Sequence, residues 1–242
     1  MKGGRESQRN ALLSGALKVE SRQSTKGSEV PSVKTCLVAL GIALALFVLL
    51  AADVTNAGPL TLLDARISVW LHTNKGPGLI EFFLWVSKLH SNWSVTIVTT
   101  AIAVYFWSRR LNYWILIWAV SVWGGMLLNV ILKLLFARPR VHFDDPIVTL
   151  HTFSFPSGHT MLATVFYGTL CVFAFSRMRS QKVRGLVVLL SVFMIALVGF
   201  SRMYLGAHYL TDVLGAMAEG VGWISLSLLF VTAIRRQRIN LS

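Results

Sequence analysis

The stretch FSRMYLGAHYLTDVLGAMAE, residues 200–219, decides the fold, because one apolar segment ends there in Ser201-Arg202 and another begins soon after. His208 and Asp212 are four residues apart, the spacing that places two side chains on one face of a helix. A carboxylate so placed can bond one imidazole nitrogen and leave the other free as a nucleophile or base. Arg202 nearby indicates an anionic substrate. The alternative interpretation is a membrane loop with a few polar anchors.

The composition is typical of a protein embedded in a membrane. Of the 242 residues, 55% are hydrophobic and only 14% are charged, and the apolar runs are long enough to cross a bilayer. The net charge of +13 would suit nucleic acid in a soluble protein, but the chain has no RNA- or DNA-binding motif, so no such partner is expected. The basic residues instead cluster at the ends of apolar runs, as the positive-inside rule predicts. Cys36 and Cys171 lie inside apolar runs, which indicates packing.

The apolar runs predict an all-α fold, a polytopic membrane bundle of six transmembrane helices. Residues 1–34 are polar and basic, which predicts a disordered cytoplasmic tail, and 235–242 form a basic cytoplasmic C-terminus. The membrane domain is expected at 35–234, with two short interfacial helices on the outer side within 53–90. The six spans are predicted at 35–52, 91–107, 112–133, 158–175, 186–201 and 211–234.

Six spans place both termini on one side, which the basic tail assigns to the cytoplasm. Several cations then lie on the outer side, in the loops after the third and fifth spans. The positive-inside rule, which accounts for the cytoplasmic cations, does not explain these. We expect these cations to bind an anion; they are Lys133, Arg138, Arg140 and Arg202. Three polar stretches are therefore expected to meet at one outer depth: 133–140, 155–160 and 200–219.

Each stretch brings its own chemistry. Arginine forks and lysine ammonium groups suit phosphate oxygens. Ser157 is a natural N-cap, and the amides of that first turn together with Gly158 form an anion site. His159 and His208 could divide phosphoryl transfer between a nucleophile and a general acid, and the residues alone leave open which one attacks. Fixed cations could replace magnesium, and no carboxylate cluster indicates a metal, so neither metal nor cofactor is expected.

These motifs resemble those of the type 2 phosphatidic acid phosphatase (PAP2) superfamily. Its pattern is K-x6-R-P, then P-S-G-H, then S-R-x5-H-x3-D. Lys133 and Arg140 have the first spacing, 156–159 match the second motif, and 201–212 match the third. Val141 stands where the first motif has proline, which leaves Arg138 and Arg140 as alternatives for the phosphate contact, and the spacing favours Arg140.

The resemblance implies a role for each matched residue. His208 would be the nucleophile that forms a phosphohistidine, Asp212 would orient it, and His159 would be the general acid for the leaving group. The resemblance also implies that the phosphate oxygens are held by Lys133, Arg140, Ser157, Gly158 and Arg202.

The expected function is hydrolysis of a lipid phosphate or pyrophosphate in the outer leaflet of a bacterial inner membrane, with the oligomeric state left open. The six spans and the external site favour undecaprenyl pyrophosphate as the substrate. Alternatives are phosphatidylglycerophosphate, phosphatidate or lipid A 1-phosphate, or transfer of the phosphoryl group to another lipid. A transporter or scaffold on the same fold is the non-enzymatic alternative, and the intact His159, His208 and Asp212 argue against it.

Two acidic features stand outside the motifs. Glu219 lies seven residues after Asp212 on the same helical face, inside a span, and could be functional or a protonated structural hydrogen-bonder. Asp144-Asp145 is expected to be a solvated part of the loop after the third span.

Overall fold

The computed structural model describes residues 31–241 and, within them, the side chains of residues 31–237. Every regular element in this part of the chain is a helix, which confirms the all-α class. Eight helices occur there: α1 (Val33–Thr55), α2 (Pro59–Thr73), α3 (Pro77–Leu89), α4 (Asn92–Ser108), α5 (Asn112–Phe136), α6 (Gly158–Arg177), α7 (Gln181–Tyr204) and α8 (Leu210–Leu241).

The predicted segments correspond to helices of similar extent. The six predicted spans become α1 and α4 to α8, and the mixed segment 53–90 becomes α2 and α3. The predicted tail, residues 1–34, lies almost wholly outside the described residues, as do Ser242 and the side chains that follow residue 237.

The number of candidate spans is smaller than predicted. By length and composition, the helices able to cross a membrane are α1, α5, α6, α7 and the Leu210–Gln237 part of α8. The helix α4, which covers the second predicted span, has 17 residues and is not one of these five. The chain is therefore a multi-pass membrane protein with five candidate spans in its described part.

Local sequence sets several helix ends. Ser32 and Ser91 accept a backbone N–H in the first turns of α1 and α4, as N-caps do. The helices α2 and α3 begin with Pro59 and Pro77, each after a glycine, because proline lacks the N–H that a first turn leaves unpaired. Ala137, with φ 45°, ends α5 in the left-handed conformation.

The helix α8 lies at the centre of the bundle and packs against α1, α2, α5, α6 and α7. Its small residues allow this close packing, as they do in other membrane bundles. At Gly220, a Cβ atom would lie 2.7 Å from the side chain of Thr164 on α6. The polar residues at the start of α8 are therefore surrounded by neighbouring helices.

The two largest of three hydrophobic clusters in the described residues hold most of the helices together. The larger one joins α1, α4, α5, α6 and α8 around the fully buried Trp118. The smaller one joins α2, α3, α7 and α8 near the end of the bundle where the polar motifs gather, and its buried members include Leu71, Phe83, Tyr204 and Val213. The backbone N–H of Gly76 donates to the Tyr204 hydroxyl over 2.8 Å, which ties the start of α3 to the end of α7.

Candidate active site

The three predicted polar stretches meet around one cavity of about 280 Å³. The ends of α5 and α7 and the starts of α6 and α8 converge there. Six of the eight predicted site residues line it: Lys133, Arg140, Gly158, His159, Arg202 and His208. Ser157 and Asp212 do not line the cavity but lie fully buried beside it.

The turn between α7 and α8 fixes the position of His208. The N–H of Gly206 donates to the carbonyl of Met203 and the N–H of Ala207 to that of Arg202, which is the Schellman pattern at a helix C-terminus. Gly206 has φ +68°, the left-handed conformation that this pattern requires. The N–H of His208 also donates to the Arg202 carbonyl over 3.2 Å. The five residues between Arg202 and His208 are therefore the number that this turn needs.

His208 and Asp212 meet, but not on one face of a helix as the spacing predicts. The helix α8 begins at Leu210, so His208 lies in the preceding loop and Asp212 in the first turn. Asp212 Oδ2 accepts the backbone N–H of Tyr209 over 2.9 Å, which is one half of a capping box, and the Tyr209 carbonyl accepts the N–H of Val213 as the first bond of the helix. The same carboxylate oxygen lies 3.3 Å from Nδ1 of His208.

The contact with Asp212 determines which imidazole nitrogen carries the proton and which carries the lone pair. We assign the proton to Nδ1, because a carboxylate accepts a hydrogen bond from it, which leaves the lone pair on Nε2. Burial lowers the pKa of His208 to about 3, although Asp212 acts in the opposite direction. The imidazole is therefore neutral at neutral pH and able to act as a nucleophile.

The two candidate arginines occupy different environments. Arg140 lines the cavity, and its Nη1 lies 3.4 Å from Nε2 of His208. Arg138 is buried behind His208, where it forms ion pairs with Asp64 and Asp212. Burial acts to lower the pKa of Arg138, but the two carboxylates outweigh it and the pKa is raised. Of the two, Arg140, which the motif spacing favours, is the one placed to reach a ligand.

The cations of the cavity bond neutral groups. Lys133 Nζ donates to the Phe153 carbonyl over 2.8 Å, and Arg140 donates to the carbonyls of Thr152 (2.6 Å) and Ala207 (2.7 Å). Arg202 bonds the Ser87 hydroxyl, and its buried Nε has no partner. Among the described residues that line the cavity none is acidic, so these three positive charges remain available to an anion.

The start of α6 brings its own polar groups to the site. Ser157 stands at the N-cap position, as predicted, but its hydroxyl bonds Thr160 Oγ1 over 3.0 Å rather than a backbone N–H. Its own N–H donates to the Asp212 carbonyl. A Cβ atom on Gly158 would lie 3.2 Å from Asn129 Oδ1, so glycine allows α6 to begin close against α5. His159 follows directly and lines the cavity.

Several polar residues around the site were missed in the sequence. Asp64 follows from no motif, although an acid within the predicted interfacial helices of 53–90 is a signal that could have found it. Ser154 donates to Asp212 Oδ2, and Asn129, one helical turn before Lys133, donates to Glu219 over 2.9 Å.

The two acidic features outside the motifs have different surroundings. Glu219 is buried and accepts one hydrogen bond, from Asn129, while its Oε1 has no partner. Asp145 is exposed, as expected for a solvated loop, but it also forms ion pairs with His72 and Lys75. Its hydrogen bonds to Lys75 and His72 lower the pKa of this carboxyl to about 2.

The fold and the cavity together define a class of protein, a multi-pass membrane protein with a histidine–aspartate pair beside three cations. Residues 114–236 match the family described as the PAP2 superfamily, and the chain belongs to that family. It is therefore a phosphoric ester hydrolase, a phosphatase of the family that acts on lipid phosphates.

The chain is similar to two named proteins of that family and to one solved structure. Phosphatidylglycerophosphatase B of Bacillus subtilis (strain 168) is 31% identical over 200 residues, 81% of this chain and 97% of that protein. Undecaprenyl-diphosphatase BcrC of the same strain is 30% identical over 102 residues, 40% of this chain and 48% of that protein. The crystal structure of a transmembrane PAP2 phosphatidylglycerolphosphate phosphatase from Bacillus subtilis has a TM-score of 0.68 and 28% identity, covering 82% of this chain and 96% of that one.

Proposed function

We propose that the protein removes the terminal phosphate of phosphatidylglycerophosphate through a phosphohistidine formed on His208. The observation that carries the proposal is Nε2 of His208, the nitrogen that carries the lone pair, which faces a cavity with three cations and lies 3.4 Å from Nη1 of Arg140. The substrate differs from undecaprenyl pyrophosphate, which the sequence favoured. The similarity to a phosphatidylglycerophosphatase extends over nearly that whole protein, whereas the similarity to BcrC covers about half of it.

The first chemical step is attack on the terminal phosphorus. Nε2 of His208 forms the new N–P bond while the bond from phosphorus to the lipid oxygen breaks. His159 donates a proton to that oxygen, which leaves as the hydroxyl of phosphatidylglycerol. Lys133, Arg140 and Arg202 stabilise the charge on the phosphoryl oxygens, in a site whose donors are already in place.

The second step returns the enzyme to its starting state. Water attacks phosphorus, the N–P bond breaks, and His159 takes the proton of the attacking water. The amides at the start of α6, where Ser157 and Gly158 lie, add partial positive charge to the phosphate site. Inorganic phosphate then leaves the cavity.

The membrane arrangement belongs to the same proposal. With 17 residues, α4 is about 25 Å long, close to the ~30 Å of the hydrocarbon core, and would be the sixth span. Both termini then lie in the cytoplasm, and α2 and α3 lie with the active site at the outer face of a bacterial inner membrane. The basic residues at the opposite end of the bundle fit this orientation; they include Arg109, Arg110, Arg177, Arg179, Lys182, Arg184, Arg235 and Arg236.

The test is phosphate release by the purified protein from a panel of lipids in the presence of EDTA. The panel contains phosphatidylglycerophosphate, undecaprenyl pyrophosphate, phosphatidate and lipid A, with the folded variant His208→Ala as the control. We expect the highest kcat/KM for phosphatidylglycerophosphate and no phosphate release by the variant. When the terminal phosphate of the substrate is radiolabelled, we expect the label on a histidine after rapid quenching.

Other outcomes identify the alternatives. Faster hydrolysis of undecaprenyl pyrophosphate would restore the substrate that the sequence favoured. A labelled lipid product in place of free phosphate would indicate a phosphotransferase. Absence of release from every lipid by a folded protein would overturn the enzymatic proposal in favour of a transporter or scaffold.

A further inference from the structure

A buried group of charges lies behind His208, on the side away from the cavity. It consists of Asp64 on α2, Arg138 in the loop after α5, and Asp212 on α8. We propose that Asp64 is a positioning residue for His208, acting through Arg138 and Asp212. The inference rests on the proposed role of His208 as the nucleophile.

The guanidinium of Arg138 joins the two carboxylates. Its Nη2 donates to Asp64 Oδ2 over 2.9 Å, and its Nη1 donates to Asp212 Oδ1 over 2.6 Å. Both aspartates are fully buried, and Arg138 is 8% exposed. Because the guanidinium is planar and its donors point in fixed directions, the position of one carboxylate sets the angle at which Arg138 meets the other.

Asp64 is itself held firmly at the start of α8. Its Oδ1 accepts the backbone N–H of Thr211 over 3.0 Å, and its Oδ2 accepts the Thr211 hydroxyl. That hydroxyl accepts in turn from Nη1 of Arg138 over 2.8 Å. The helix α2 is thus fixed to the residue that precedes Asp212.

The two oxygens of Asp212 have separate partners. Oδ1 accepts from Arg138, whereas Oδ2 accepts from Ser154 and the Tyr209 N–H and faces Nδ1 of His208. Arg138 therefore keeps the carboxylate turned so that Oδ2 points towards the imidazole. Without Asp64, Nη2 of Arg138 would lose its hydrogen-bond acceptor, and the guanidinium could rotate.

Charge gives Asp64 a second effect. Asp212 and Arg138 alone would be neutral together, whereas the group of three carries a net charge of −1. When Nε2 bonds to phosphorus, the imidazole ring becomes positively charged while Nδ1 keeps its proton. A net negative group at a buried site favours that charge, because little water is present to screen it.

The family motifs do not contain Asp64. It lies outside the matched residues 114–236 and 74 residues before Arg138 in the chain. Only the packing of α2 against α8 brings it to this position.

The test compares Asp64→Asn with Asp53→Asn. Asp53 accepts the N–H groups of Leu60 (3.2 Å) and Thr61 (2.9 Å) at the start of α2, so its variant loosens the same helix away from the site. We expect Asp64→Asn to lower kcat about 10- to 100-fold, with KM within about twofold. A loss of this size is typical when a residue that orients a functional side chain, without touching the substrate, is removed. We expect Asp53→Asn to keep kcat within about twofold. Equal kcat loss in both variants, or none in Asp64→Asn, would overturn the proposal.

A second measurement does not depend on activity. In protein with ¹⁵N-labelled histidine, the signal of His208 is identified by its loss in His208→Ala, and its shifts report which nitrogen carries the proton. We expect the Nδ1–H tautomer in the wild type and a mixture of tautomers in Asp64→Asn. An unchanged tautomer together with unchanged kcat would exclude a positioning role.

A third variant keeps the proposal testable if Asp64→Asn does not fold. Arg138→Lys retains the charge but cannot bond both carboxylates through a planar fork, so we expect the same fall in kcat and the same mixture of tautomers. Wild-type kcat in Arg138→Lys would count against the proposal. If the wild type releases phosphate from no lipid, the proposed function fails, while the tautomer of His208 still decides the role of Asp64.

Discussion

Arg140 Nη1 lies 3.4 Å from Nε2 of His208, on the cavity side of the imidazole ring. On the opposite side, Nδ1 faces Asp212, whose other oxygen is bonded by Arg138. Two arginines separated by one proline therefore act on opposite sides of the same histidine. The arrangement gives each of them a different expected effect when it is replaced.

Replacing Arg140 tests the phosphate site. We expect Arg140→Ala to lower kcat/KM by about 10²- to 10³-fold, the usual effect of losing one donor to a developing anion. Phosphate release from phosphatidylglycerophosphate is the measurement. Arg109→Ala, at the exposed far end of α4, is the matched control and should keep kcat/KM. Equal losses in the two variants would show that general charge, rather than contact with phosphate, matters.

Replacing His159 tests the general acid. We expect His159→Asn to lower kcat on natural lipids by about 10²- to 10⁴-fold. The loss should be small with a nitrophenyl phosphate ester, whose leaving group needs no protonation. His142→Asn, an exposed loop histidine, serves as the control. A loss of the same size on both types of substrate would contradict the assignment of His159 as the acid.

The low pKa of His208 predicts a particular dependence of stability on pH. The folded-state pKa of about 3 lies below the ordinary value of 6.5, so protonation favours the unfolded chain. This contribution is fully retained above pH 6.5 and is lost as the pH falls towards 3. We expect the melting temperature to fall more between pH 6.5 and 4 in the wild type than in His208→Gln. Parallel curves for the two proteins would be inconsistent with a depressed pKa.

Gly206 should tolerate no side chain. With φ +68° and Phe143 Cε2 3.2 Å from where a Cβ would be, Gly206→Ala should destabilise the protein by about 1–2 kcal/mol. Because the same turn places His208, kcat should also fall. Gly41→Ala, within α1 where a Cβ would meet nothing within 4 Å, should leave both quantities unchanged or raise stability slightly. Thermal unfolding and phosphate release measure the two effects.

Glu219 should act as a neutral hydrogen-bond partner of Asn129. A buried carboxyl with one hydrogen bond and one unpartnered oxygen is poorly suited to carry a charge inside a membrane bundle. We therefore expect Glu219→Gln to keep both stability and kcat. Glu219→Ala should be destabilising, because it leaves Asn129 unpaired and opens a cavity. Loss of activity in Glu219→Gln alone would indicate a role for the acid itself.

Much of the site was predictable because its residues lie at the ends of apolar segments. Lys133, His159, Arg202 and His208 each occupy such an end, and antiparallel segments of similar length bring their ends together. The local structure was less predictable. His208 precedes α8 rather than lying on it, since Gly206 ends α7 and Tyr209 caps the next helix.

By itself, the sequence determined the apolar segments, the family motifs and the residues that gather at one end of the bundle, because these depend on hydropathy and spacing within short stretches. The tertiary structure decided that Arg140 reaches the cavity and that Arg138 turns away from it. It also decided that Asp64, 74 residues before Arg138, completes the ion pairs behind His208. The physical reason is that the carboxylates that a buried arginine such as Arg138 meets depend on how distant helices pack.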